Sequence, residues 1–144
     1  MIKIPAGIVE RIKKQAMEEA PIEACGYLGG RGDVVREIFP MTNTDKSPEH
    51  FSFSPEEQFE VLNRAREMEL ELIAVYHSHP ATPARMSEED IRLAYDPDFI
   101  YLIYSLSDDK LKAFRVIKEE ERKQVLNIPI EEIQEEPPAS ERTR

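Results

Sequence analysis

Leu72-Ile73-Ala74-Val75-Tyr76-His77-Ser78-His79-Pro80 decides how the chain is organised. The run is apolar, rich in β-branched and aromatic residues and too short for a helix, so it reads as a buried strand from Leu72 to His77. Pro80 stops it, because proline cannot donate to a strand ladder. Residues two apart on a strand project from the same face. If the strand continues through His79, two imidazoles reach toward one point.

Before this strand, Ser54 offers an N-cap and Pro55 a first-turn residue for a helix carrying Phe59, Leu62 and Ala65 and running to about Glu71. After it, Ser87-Glu88-Glu89-Asp90 opens a short helix to about Ala94. Phe99 to Leu106 reads as a central strand, Asp108-Asp109-Lys110 as a turn, and Leu111 to Ile117 as the last strand. Nearer the N-terminus, Ile8, Ile12, Ala16 and Ala20 recur at helical spacing, and Pro21 closes that helix. Ala24 to Leu28 enters a Gly29-Gly30 turn and pairs with Val34 to Phe39 as a hairpin. Pro40 to Pro55 is polar and without period, a surface loop with a short strand at Phe51 to Phe53. One domain is expected over residues 1–117. Residues 118–144 read as a charged extension whose Pro137-Pro138-Ala139-Ser140 end is loosely ordered.

The bulk properties narrow the function. The formal charge of −10 argues against a nucleic-acid partner, which needs clustered Lys and Arg to neutralise phosphates. No apolar run approaches the ~20 residues that span a bilayer, so no membrane partner is expected. Cys25 is the single cysteine and cannot form an internal disulfide. Met1-Ile2-Lys3-Ile4-Pro5 lacks the apolar centre of a secretion signal. A cytoplasmic location follows as the expectation.

Two local patterns carry chemistry. His77 and His79 alone read more readily as two ordinary polar residues than as a metal site, and Ser87 with Asp90 reads as a helix cap. Taken together, two neutral imidazoles and one carboxylate make a zinc triad that leaves the fourth tetrahedral position for water, the form of a catalytic site.

The combined spacing is more specific. His77-Ser78-His79-Pro80 through Ser87 to Asp90 resembles the signature of the JAMM/MPN+ zinc metalloproteases: His-x-His, seven residues, Ser, two residues, Asp. Pro21-Ile22-Glu23-Ala24-Cys25-Gly26 is similar to the segment of the small prokaryotic branch that carries a catalytic glutamate. The resemblance covers roughly residues 1–117. It implies an α/β fold, a mixed, curved sheet flanked by helices, similar to the cytidine deaminase-like architecture. A reading of three helices among about six strands is compatible with that.

It also implies roles. His77, His79 and Asp90 would hold one zinc per chain with a bound water, Glu23 would be the general base, and Ser87 would donate a hydrogen bond to the oxyanion. The implied reaction is hydrolysis of an amide at the C-terminus of a ubiquitin-like or sulfur-carrier protein ending in Gly-Gly. The short interval after Asp90 leaves little room for the insertions with which eukaryotic relatives grip ubiquitin chains. A metal-free MPN scaffold is the alternative, and it expects missing ligands. A zinc deaminase would need Cys-x-x-Cys ligands, which one cysteine excludes. Cys25 lies in an apolar strand pattern and reads as a small hydrophobe, with an approach to the metal as the weaker option. His50 reads as a loop residue open to substrate contact. Tyr76, Phe99, Tyr101, Tyr104 and Phe114 read as core fillers. The oligomeric state, a homodimer included, is left open.

Overall fold

The computed structural model describes residues 1–134, and the Pro137 to Ser140 stretch lies outside the described residues. The elements in chain order are β1 (Ile2–Pro5), α1 (Ala6–Glu19), β2 (Cys25–Arg31), β3 (Val34–Met41), α2 (Pro55–Glu67), β4 (Glu71–His79), α3 (Glu88–Leu93), β5 (Ile100–Ser105), β6 (Lys110–Glu119), β7 (Arg122–Ile128) and β8 (Ile130–Ile133). The strands form a single sheet in the order β7-β6-β5-β4-β2-β3-β1-β8. β4 runs antiparallel to β2 and parallel to β5, so the sheet is mixed. A parallel neighbour requires a crossover, and the segment carrying α3 supplies it. The α/β class with a curved mixed sheet is thus as expected.

The curvature has a covalent cause. β7 pairs with β6 at one end of the strand order and β8 pairs with β1 at the other, yet only Pro129 separates them. Ile2 N–H donates to the Pro129 carbonyl at 2.9 Å, which fixes the junction. One stretch of chain therefore draws the two ends of the sheet together around α1. The apolar stripe of α1, Ile8, Val9, Ile12 and Ala16, packs inside that curve on Ile2, Ile4, Leu28, Tyr76 and Leu102. Each such buried aliphatic side chain contributes about 1.5–3 kcal/mol.

Some expectations are corrected. β1, β7 and β8 were not anticipated, and residues 118–133, read as an extension, carry strand instead. Edge strands protect themselves with charge, so Lys118 to Gln124 has the composition of a solvated tail. β2 continues through Gly29 and Gly30, and the turn falls at Gly32, whose φ is +61°. A Cβ at Gly30 would lie 2.1 Å from the Val34 carbonyl, so that glycine serves close strand approach. α2 stops at Glu67 because Glu69 adopts φ +58°, with Glu69 N–H on the Arg66 carbonyl and Leu70 N–H on the Ala65 carbonyl. Phe51 to Phe53 is irregular chain, not a strand. Tyr76, Tyr104 and Phe114 are buried as expected, whereas Phe99 and Tyr101 are half-exposed. Among the described residues no helix is long and apolar enough to cross a membrane.

Candidate metal centre

β4 extends through His79, and its pleat sends alternate side chains to opposite faces. Ala74 and Tyr76 enter the core under α1, leaving Val75, His77 and His79 for the other face. The imidazoles meet there: His77 Nε2 lies 3.2 Å from His79 Nε2. Asp90 closes the triangle, with Oδ1 3.3 Å from His77 Nε2 and Oδ2 3.1 Å from His79 Nε2.

α3 delivers Asp90 by a local device. Ser87 is the N-cap, its hydroxyl accepting from Asp90 N–H at 3.0 Å while Asp90 Oδ2 accepts from Ser87 N–H at 3.0 Å. This capping box fixes the carboxylate relative to the helix start. The helix cap read from the sequence is present, and it is also what aims the Asp90 carboxylate toward the two imidazoles.

Glu23 arrives through the sheet register. Cys25 sits opposite His77 in the β2–β4 ladder, so two residues earlier Glu23 comes level with His79. Ala24 N–H donates to Ser78 Oγ at 2.8 Å and Ser78 N–H to the Ala24 carbonyl at 2.9 Å, which locks that register. One donor atom each from Glu23, His77 and His79 lie within 4.8 Å of one another. Glu23 is 2% exposed, and its Oε1 has no hydrogen-bond partner among the described residues.

This donor set fits a divalent cation. His79 Nδ1 is 2.9 Å from the Pro83 carbonyl, which accepts only from a protonated Nδ1 and so turns the Nε2 lone pair toward the site. Lone pairs and carboxylates converge there, and a buried carboxylate oxygen without a donor is costly unless an ion or water meets it. Burial opposes charge on Asp90, yet hydrogen bonds from His77 and His79 hold its carboxyl well below the usual range. Burial likewise opposes charge on His79, but its bonds to Asp90 and Pro83 lift its pKa above the ordinary value. Glu23 goes the other way: burial, only partly offset by His79, pushes it up to about 8. Two imidazoles and a carboxylate are a donor set suited to zinc.

Beside the centre lies a cleft of about 60 Å³ walled by Phe51, Val75, Met86, Leu93 and Tyr101, which shares His77 and Asp90 with the site. The Phe51 ring lies 4.8 Å from that of His77. His50 also borders the cleft, and its Nδ1 is 2.9 Å from Asp45 Oδ2. Phe51, Met86 and Leu93 were not foreseen, since isolated apolar residues in loops carry no period. Cys25 is fully buried, its thiol donating toward the Met41 carbonyl at 3.8 Å, and burial pushes its pKa up, so it is no nucleophile.

The pattern of the prokaryotic homologs of the JAB domain matches residues 5–117. The chain belongs to this prokaryotic JAB family, and it is a JAMM-type peptidase. It is 32% identical over 122 residues to the CysO-cysteine peptidase of Mycobacterium tuberculosis, covering 81% of this chain and 84% of that protein. The solution structure of protein DSY2949 from Desulfitobacterium hafniense is 39% identical with a TM-score of 0.79, covering 94% of this chain and 96% of the other. A structure described as a JAMM metalloprotease-like zinc site in the proteasome and signalosome shares the fold at a TM-score of 0.59 and 21% identity, covering 93% of this chain and 99% of the other.

Proposed function

We propose that this peptidase hydrolyses an amide bond at the C-terminus of a ubiquitin-like or sulfur-carrier protein, with one zinc per chain held by His77, His79 and Asp90. The observation that carries this reading is the convergence of those three side chains beside a buried carboxylate, Glu23, whose Oε1 has no partner among the described residues. The similarity to a CysO-cysteine peptidase supports the substrate class. Bound there, zinc supplies Lewis acidity, polarising a carbonyl and acidifying a water toward a pKa of about 7.

The chain's own groups do the rest. Asp90, whose carboxyl lies well below the usual range, is an ionised third ligand. Glu23 is the base: its raised proton affinity suits it to take a proton from water and return it to the departing amine, a role worth about 10²–10⁴-fold. Ser87 Oγ accepts from Asp90 N–H, which leaves its own proton to serve the developing oxyanion. The C–N bond breaks, the water oxygen remains on the acyl carbon, and the amine leaves protonated. A carrier ending in Gly-Gly brings no side chain past the crowded triad. Cys25, single and buried, suits a reducing, cytoplasmic setting.

The test is intact-mass measurement of sulfur carriers extended past Gly-Gly, incubated with zinc-loaded protein. Wild type releases the extension, and Glu23→Gln is at least about 10²-fold slower. Equal rates would remove Glu23 as base, and no cleavage by either would remove the substrate class. Elemental analysis should find one zinc per chain, lost in Asp90→Asn. A metal-free scaffold would bind none in either form.

A further inference from the structure

Glu23 lies in the irregular link between α1 and β2, one residue before the Ala24–Ser78 bonds that set the register, and makes no ladder bond of its own. Its side-chain Oε1 has no hydrogen-bond partner among the described residues. What holds it is the loop between β3 and α2. Asn43, 3% exposed, donates from Nδ2 to the Glu23 carbonyl at 3.1 Å and to the His50 carbonyl at 3.0 Å, with a longer contact to the Ser47 carbonyl at 3.4 Å. Its Oδ1 accepts from Asp45 N–H at 3.1 Å and Ser52 N–H at 3.3 Å. Ser47 returns the grip, its carbonyl accepting from Glu23 N–H at 2.9 Å.

One buried amide thus ties the backbone of Glu23 to the loop that places Phe51 against His77. We infer that Asn43 is the positioning residue for Glu23, clamping the base in register with the metal ligands and with the cleft wall. The inference rests on the reading of Glu23 as the base. Asn43 touches no reacting atom and acts through Glu23. Its Nδ2 donors are committed to the Glu23 and His50 carbonyls, and a displacement of a reacting group by about 1 Å costs on the order of 10²-fold.

Asn43→Asp keeps an oxygen for Asp45 and Ser52 N–H while removing the donors to Glu23 and His50. Asn43→Ala removes both sets. On a sulfur carrier extended by one residue past Gly-Gly, kcat should fall roughly 10- to 100-fold in either variant. Zinc content should stay at one per chain. Hydrogen exchange at the Glu23 amide should quicken. In a Glu23→Gln background the same substitution should cost far less, because the group it positions is already gone. The inference is overturned by a kcat within about twofold of wild type, by unaltered exchange at Glu23, by an equal loss in both backgrounds, or by zinc lost in parallel with kcat. If Glu23→Gln itself costs nothing, the base assignment fails instead, and the exchange rate still reports whether Asn43 clamps this backbone.

Discussion

Replacing Ser87 by alanine separates the capping role of its hydroxyl from the oxyanion role proposed for it. The structural loss is the bond from Asp90 N–H to Ser87 Oγ at 3.0 Å, an N-cap on an exposed helix start. Such a cap is worth about 1 kcal/mol, a shift of about 3 °C in Tm for a chain of this size. The reciprocal bond, from Ser87 N–H to Asp90 Oδ2 at 3.0 Å, comes from the backbone and survives. Asp90 also keeps both imidazole contacts, so zinc should remain bound. The kinetic loss is of another size. Removing an oxyanion donor costs about 10²–10³ in kcat, or about 2.7–4 kcal/mol, several times the cap. Thermal melting, zinc content and single-turnover cleavage of an extended carrier, measured on one preparation, tell the two apart. Ser87→Thr, which keeps a hydroxyl, should restore most of the rate. A kcat within about threefold of wild type in Ser87→Ala, or a loss of zinc matching the loss of rate, would refute the donor role.

Two further outcomes test the fold. Gly26→Ala would put a Cβ 2.4 Å from Tyr76 Oη and 2.5 Å from the Phe39 carbonyl, both buried, so denaturant melts should show a destabilisation of about 1–3 kcal/mol. Ending the chain at Ile117 removes β7 and β8 and uncovers the edges of β6 and β1; the shortened protein should lose its cooperative thermal transition, and a melt equal to that of the full chain would show that these strands do not support the sheet.

The misreadings share a cause. The polar loop from Pro40 to Pro55 has no period, so nothing in its composition separates Asn43, which bridges Glu23 and His50, from residues that merely face water. Glu69 is an ordinary acid in sequence and becomes a helix stop only because its left-handed backbone satisfies the last carbonyls of α2. Gly29-Gly30 resembles a turn until the neighbouring strand is known to pass so close that a side chain would not fit. Tyr101 looked like core because β5 is apolar throughout, whereas the face it occupies lies beside the cleft.

Within a few residues, the chain's own order was enough to set the candidate metal centre: the two-residue pleat places His77 and His79 on one face, and the Ser87-to-Asp90 capping box aims the carboxylate, because both are consequences of local backbone geometry. Tertiary structure alone brought Glu23 level with His79, set Asn43 beneath it, laid Phe51 on His77 and drew β7 and β8 around α1. Those placements depend on which strands pair and in what register, and register is decided by burying a whole core at once rather than by any short run of residues.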